Sequence, residues 1–256
     1  ESVRVEIKLD ESTTHRLAQR QNLDNLPEYT VVGTRWGEGD ASKIQQENQQ
    51  LLVGFSHLFI GAQGKQRLNY SDDLQLTLSG DNFEKVLKRI LAHAHLRNEL
   101  FEWLDLFVPG FKSLDVVSSP YDGRETLLWF EKSFDKPFTK DLISDGTYNI
   151  LALLTAIYQS DKPQFLCIEE PENGLHPQVL MSLVDFFRQQ CSEKGHYIWL
   201  NTHSESLVRG LTTDEIILVN KVDGATQTRQ IKGRYLYDLP TDEAWLTGAL
   251  GGGLPW

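Results

Sequence analysis

Cysteine is nearly missing from this sequence: Cys167 and Cys191 are the only two in 256 residues. Two such residues make neither a disulfide framework nor a metal knuckle, and that usage suits a reducing cytosol. No apolar run is long enough to span a membrane; the longest, near 51–60 and 150–158, are short and interrupted. The opening ESVRVEIKLD has no secretory leader. It starts on Glu1 rather than Met, as a fragment or processed product would. Positive charge is in deficit, 25 bases against 36 acids for a net −11. That excludes a uniformly basic surface for coating nucleic acid but leaves room for a local basic groove. Internal repeats and low-complexity tracts are absent. With 40% hydrophobic residues, the chain can bury a sizeable core as one large domain or a domain with a helical insertion.

Residues 3–9 (VRVEIKL) alternate apolar and charged side chains, the mark of a half-buried strand. Segments 29–32 and 74–78 (LQLTL) read as further short strands. Between them lie a polar stretch at 12–27, a Gly-rich loop around Trp36, a Gln-rich helical tendency at 41–52 and an apolar stretch at 53–61. Asp81 is placed to cap a helix reaching about Phe107, since Phe83, Val86, Leu87, Ile90, Leu91 and Ala94 recur at helical spacing. Pro109 and Gly110 end it. Segments 114–117 and 126–130 flank SSPYDG as a hairpin. Then come a helix at 147–159, a strand at 165–168, a helix from Pro177, a strand at 197–201, a short helix at 204–210 and a strand at 215–220. Gly224 separates that strand from 227–231. Strands alternating with helices predict βαβ units and a mainly parallel sheet flanked by helices.

Three islands carry the chemistry: ISDGT at 143–147, FLCIEEPENGLHP at 165–177 and WLNTHS at 199–204. In the second, an apolar run suits a fully buried strand of a parallel sheet, although periodicity alone does not separate it from a buried helix. Glu169 and Glu170 follow at its carboxyl end, the edge where open α/β sheets bind ligands. A strand-end pair can divide the work of phosphoryl transfer, one carboxylate holding Mg²⁺ and the other activating water. Taken alone, the same pair reads as two solvated acids opening a loop. Ser144 or Asp145 can cap the following helix, whose free N–H groups form an anion site, and Gly146 permits close backbone approach. An ordinary N-cap is the plainer alternative. His203 ends an apolar strand, where it can hydrogen-bond a γ-phosphate or serve structure alone. His93 and His95, two apart on a helix, face different ways and make no ligand pair. His176 precedes the helix starting at Pro177, as an interface residue would.

In order and interval, the islands resemble those of ABC-type ATPases of the SMC/RecF/OLD class, most closely the predicted bacterial AAA-family ATPases that carry SDGT, EEPENGLHP and THS. The match is strong over 138–206 and looser through 107–135. The resemblance implies a P-loop-NTPase-like α/β fold with an additional N-terminal β-rich and helical part. Residues 1–110 would complete the first lobe, with a helical insertion at about 80–108, and 111–256 would form the ATPase lobe. It implies ATP and Mg²⁺ as cofactors. Glu169 would be the Walker B metal ligand, Glu170 the general base and His203 the switch residue. Ser144, Asp145 and Gly146 would form the signature, and Asn173 and His176 would belong to the D-loop region. Because a signature acts across an interface, it implies a nucleotide-sandwiched homodimer with DNA or an effector protein as partner, coupled to DNA repair, mobile-element or phage-defence activity, in the cytoplasm and without a membrane.

The sequence departs from that pattern at one place. A P-loop needs G-x-x-x-x-G-K-[ST]. The nearest stretch contains Gly61, Gly64 and Lys65, but Phe59 replaces the first Gly and Gln66 the Ser/Thr. The expectation is a fragment or half-site that retains signature, Walker B and switch and binds ATP poorly. The alternatives are a non-hydrolysing dimerisation module and, behind it, a carboxylate-metal nuclease using Glu169, Glu170 and Glu172.

Overall fold

A computed structural model describes the strands Ile7–Lys8, Thr30–Val31 and Phe55–Phe59 and residues 74–77, 80–222 and 224–251. In chain order these three strands are β1, β2 and β3. They are followed by helices α1 (Phe83–Ala92) and α2 (Ala94–Phe107) and strands β4 (Phe111–Ser118), β5 (Glu125–Glu131) and β6 (Phe138–Thr139). Next come α3 (Asp145–Tyr158), β7 (Phe165–Glu169), α4 (Pro177–Lys194), β8 (Tyr197–Asn201) and α5 (Glu205–Gly210). Strands β9 (Ile217–Val222) and β10 (Ala225–Gln230) and helix α6 (Thr241–Leu246) complete the order.

β7 is the middle strand of a parallel sheet in the order β3-β7-β8, with Phe165 opposite both Phe55 and Tyr197. The apolar stretch at 53–61 thus supplies a sheet strand that its sequence did not announce. Leu166 and Ile168 are fully buried on one face, whereas Phe165, Cys167 and Glu169 are half-buried on the other. This corrects the expectation of a strand buried on both faces. Burial still pushes the Cys167 thiol pKa up.

The core lies between this sheet, the antiparallel β4-β5-β6 sheet and helices α1 to α4. α3 runs through its middle. Every residue from Asn149 to Tyr158 is buried, so beyond its first turn the helix has no solvent face. Phe186 of α4 anchors an aromatic cluster, with ring centroids 4.7 Å from Trp103 and 6.1 Å from Phe107. At the far end of α3 a buried polar knot replaces apolar packing. Gln159 accepts from the Leu76 N–H at 2.7 Å and donates to Gln164 at 3.0 Å, while Arg89 donates to the Gln159 carbonyl at 2.6 Å. His196 accepts from the Gln164 N–H at 3.1 Å, and burial lowers its pKa.

Three expectations are revised. The helix foreseen from Asp81 to Phe107 is two helices, because His93 adopts extended backbone (φ −95°, ψ 108°) and its ring bonds the Arg89 carbonyl at 2.8 Å. Ala94 lies exposed beyond that break. The N-cap position is Asn82, not Asp81. The Asn82 side chain holds the Thr77 N–H (2.9 Å) and the Gln75 carbonyl (2.7 Å) instead of capping. Those same bonds keep residues 74–77 out of any strand, despite the alternation of LQLTL. Third, β9 and β10 form a separate antiparallel hairpin across Gly224, resting on a second small core of Val208, Ile216, Leu218, Ile231, Ala244 and Leu250. The strand expected at 3–9 is described only at Ile7–Lys8, paired antiparallel with Thr30–Val31. The expectations for 12–27, 33–54 and 61–73, including Gly61, Gly64 and Lys65, fall outside the described residues. Among the described residues no helix is long and apolar enough to cross a membrane.

The two cores are joined by a bidentate ion pair. Arg188 of α4 reaches both carboxylate oxygens of Glu215 at 2.7 Å and the Gly210 carbonyl at 2.7 Å. Chiefly through Arg188, the Glu215 pKa is held down at about 2. A carboxylate depressed in the folded state contributes stability above its unfolded value, and that contribution is lost as pH falls. Acidification from about 4.5 towards about 2 therefore removes it. We expect the melting temperature of the wild type to fall more steeply across that window than that of Glu215→Gln, with both measured by circular dichroism.

Candidate functional site

The site begins where β7 stops. Glu169 is the last residue of the strand, level with Phe59 and Asn201 on its neighbours. Glu170 turns out of the sheet in the left-handed region (φ 46°), a conformation that costs a non-glycine residue on the order of 1 kcal/mol. Its N–H is held by the Asn201 carbonyl at 2.8 Å. Pro171 then prevents the strand from continuing. Two tight turns follow, closed by bonds from Asn173 N–H to Glu170 O (3.1 Å) and Leu175 N–H to Glu172 O (3.0 Å). Inside them the Asn173 amide donates to Glu170 Oε2 at 3.1 Å and orients that carboxylate.

Glu172 links this turn to the end of β8. Its Oε1 accepts from Thr202 Oγ1 at 2.7 Å and from the His203 N–H at 2.9 Å, while its Oε2 is buried without a partner. The backbone of His203 is thereby tied to the turn that carries Glu170, and its ring is exposed. Ser204 caps α5 by accepting from the Leu207 N–H.

On the other side the turn meets the start of α3. Ser144 is the N-cap of that helix, and its Oγ accepts from the Thr147 N–H at 3.1 Å and pairs with Thr147 Oγ1 at 2.8 Å. Asp145 is the first helical residue and is exposed. A Cβ on Gly146 would overlap the carbonyl oxygen of Gly174 and stand 3.0 Å from its carbonyl carbon. The close approach that Gly146 permits is therefore taken up within this chain by Gly174, itself at φ +74°. Asn149, one turn along α3, donates to the Asn173 carbonyl at 2.7 Å. Lys140 steadies the approach to Ser144. Its ammonium lies 3.4 Å from Glu84 and 4.7 Å from the Tyr148 ring centroid, and burial raises the Tyr148 phenol pKa despite that cation.

His176 caps α4, with Nδ1 accepting from the Gln178 N–H at 3.2 Å and Pro177 in the first helical position. It borders an open groove of about 540 Å³ between the end of α2 (Leu106, Pro109) and the first turns of α3 and α4 (Ser144, Gly146, Gln178). The structure thus gathers Glu169, Glu170, Asn173 and the His203 backbone at the carboxyl edge of the parallel sheet. Ser144, Gly146 and His176 lie on the groove side of the same turn, and Asp145 is exposed between the first two. Among the described residues no three His, Cys, Asp or Glu side chains converge as a self-contained metal centre. Mg²⁺ does not need one: it takes one or two carboxylates and completes its shell with phosphates and water, and Glu169 at the strand end fits that demand.

Sequence reasoning passed over Asn149, Gly174 and Thr202 and set Glu172 aside as a turn residue. The repeated pairing of small or amide residues, Gly146 with Gly174 and Asn149 with Asn173, was visible only as composition.

The chain belongs to the family described as "AAA domain, putative AbiEii toxin, Type IV TA system", whose model matches residues 24–209, more than half of its length. Its fold class is α/β with a parallel sheet flanked by helices, and the family places an AAA domain over the stretch that holds the three islands. Among solved structures it is similar to an SMC ATPase described for ATP-driven dimerization and DNA-stimulated activation (16% identity, 66% of this chain and 95% of that one, TM-score 0.47). It is also similar to an Smc head with a coiled coil and joint from Pyrococcus yayanosii (17%, 68% and 31%, TM-score 0.45). A third is an Smc head bound to the C-winged helix domain of ScpA (17%, 52% and 41%, TM-score 0.43). The chain spans less than half the length of the latter two. No curated protein matches it.

The bonds from Glu172 have a measurable weight. Removing a charged acceptor of two hydrogen bonds should lower stability by about 1–3 kcal/mol in Glu172→Ala, read from urea midpoints. Glu172→Gln should lose less, because an amide oxygen still accepts both donors. An alanine variant that unfolds at the wild-type midpoint would mean that the link holds nothing.

Proposed function

We propose that the chain is part of an ABC-type ATPase head that closes on ATP as a homodimer and hydrolyses it. The observation that carries this is the placement of Glu169 and Glu170 at the carboxyl end of the middle parallel strand, with His203 at the end of the next strand and bonded to the same turn. In this mechanism Glu170, oriented by Asn173, would accept a proton from the attacking water as the water oxygen bonds the γ-phosphorus and the bond from that phosphorus to the β,γ-bridging oxygen breaks, with ADP as the leaving group. Glu169 would hold a Mg²⁺ ion, whose charge would offset that of the phosphates. His203 donates to a γ-phosphate oxygen. Ser144 and the free N–H groups of α3 face the nucleotide held by the opposing head, with Asp145 and His176 flanking that contact. The turn through Asn173 and Gly174 connects the two halves of the work.

The sequence has no G-x-x-x-x-G-K-[ST], so in this proposal the phosphate cradle comes from polypeptide beyond these 256 residues. Residues 1–110 complete the first lobe and 111–256 form the ATPase lobe. The same missing motif favours a second function, a dimerisation module without turnover. The family's description as a putative toxin of a type IV system supports a role in defence or mobile-element biology, with DNA or an effector protein as the partner of the dimer.

Two variants of the full-length protein test this. Glu170→Gln should cut steady-state hydrolysis by about 100-fold or more while an ATP-bound dimer accumulates on size exclusion. Normal turnover in that variant removes Glu170 as the base, and a wild type that dimerises with ATP but never hydrolyses it favours the module. Ser144→Arg should abolish the ATP-dependent dimer and leave nucleotide binding by a single head intact. An undiminished dimer means that the start of α3 does not face the partner.

A further inference from the structure

The described residues of 217–238 lie outside the parallel sheet, with β9 and β10 paired as a separate two-stranded sheet. They carry four bases (Lys221, Arg229, Lys232, Arg234) and two acids (Asp223, Asp238), the reverse of the balance in a chain of 25 bases and 36 acids. Two of the bases converge. Arg229 Nη2 and Arg234 Nη1 both donate to the Leu250 carbonyl oxygen, the latter at 3.0 Å. Gly251 makes room for this, since a Cβ there would overlap the Arg229 guanidinium. Elsewhere Arg188 and Arg209 each hold a carboxylate. Among the described residues Arg229 and Arg234 hold none. A carbonyl dipole does not neutralise two cations, so their convergence favours an anion that both can reach.

Next to them in the chain, Tyr235 and Tyr237 are 69% and 84% exposed, with ring centroids 5.0 Å apart at 70°. Leu236 between them packs onto the small C-terminal core, which fixes the loop and sends both rings outward. Tyr237 and Asp238 sit at φ 53° and 65°, a backbone that non-glycine residues rarely adopt. The one nearby acid with an assigned bond, Asp214, is turned into the loop backbone and accepts from the Gly233 N–H at 2.7 Å.

Flat aromatic faces interleaved with guanidinium groups match one ligand chemistry best. Unpaired bases stack on such rings while their phosphates pair with the bases of the protein. A duplex hides its base faces, and an acidic peptide offers carboxylates without a π surface. We propose that residues 229–238 form a contact site for single-stranded nucleic acid, in which Arg229 and Arg234 hold a phosphate and Tyr235 and Tyr237 stack on adjacent bases. The site is independent of the ATPase proposal.

Fluorescence anisotropy of a labelled oligothymidylate, titrated with this chain at several salt concentrations, tests it. Binding should weaken with salt, and Arg234→Gln should reduce the log–log slope by about 0.7. The double variant Tyr235→Ala/Tyr237→Ala should bind about tenfold more weakly or worse, while Tyr235→Phe/Tyr237→Phe should bind like the wild type. Both tyrosines are exposed, and alanine retains the Cβ, so the backbone at 237 is not altered and the melting temperature should not move. The proposal is overturned if the wild type fails to bind at low salt, or if the alanine double variant binds undiminished. It is equally overturned if the phenylalanine pair loses binding, or if a duplex or polyglutamate binds more tightly than the single strand.

Discussion

The contact between Gly146 and Gly174 is the constraint on which the site depends. Two backbones approach so closely there that neither position tolerates a side chain, one for lack of space and the other for its left-handed φ as well. The consequence is that the start of α3 and the turn after β7 form a single unit. Asn149 reinforces it from the helix and Asn173 from the turn, and Asn173 also orients Glu170. Glu172 extends the unit to the end of β8. Segments that are separate islands in sequence are thus joined through main-chain contact and four short polar bonds. Such a unit holds functional groups within narrow tolerances, which is what proton transfer and phosphate recognition require.

Much of this was legible in the sequence, and where it was not the reasons are physical. β7 announced itself because a short apolar run between prolines has few other uses, and α4 because Pro177 sits where a helix tolerates it. Residue type narrowed the cap of α3 to Ser144 or Asp145, and the structure places Ser144 there. β3 was not recognised as a strand because its partner β7 is more than a hundred residues away, and no local pattern encodes a parallel neighbour. The break at His93 has no glycine or proline to signal it. The alternation of LQLTL was overruled by side-chain amides that claim its backbone bonds. Glu172 was named only as a third acid of a nuclease alternative, because its importance lies in what it reaches, thirty residues on, rather than in its own surroundings.

The C-terminal portion obeys different rules. It is built on a small core, an antiparallel hairpin and a loop whose side chains face outward, joined to the larger core through Arg188 and Glu215. Charge balance differs as well: the acidic excess of the chain is reversed over 217–238. A surface that departs in sign from the rest of its protein can contact an anion without requiring the whole molecule to attract it.

The absence of a wet face on α3 beyond its first turn has a mechanical meaning. A helix packed on all sides can neither bend towards solvent nor roll without displacing its neighbours, because protein interiors are dense and yield little. Its fourteen residues span about 21 Å, from Ser144 at one end to the knot of Gln159, Gln164 and His196 at the other. α3 is therefore a stiff pushrod through the core. Its first turn lies beside Gly174, and its far end meets hydrogen bonds rather than methyl groups.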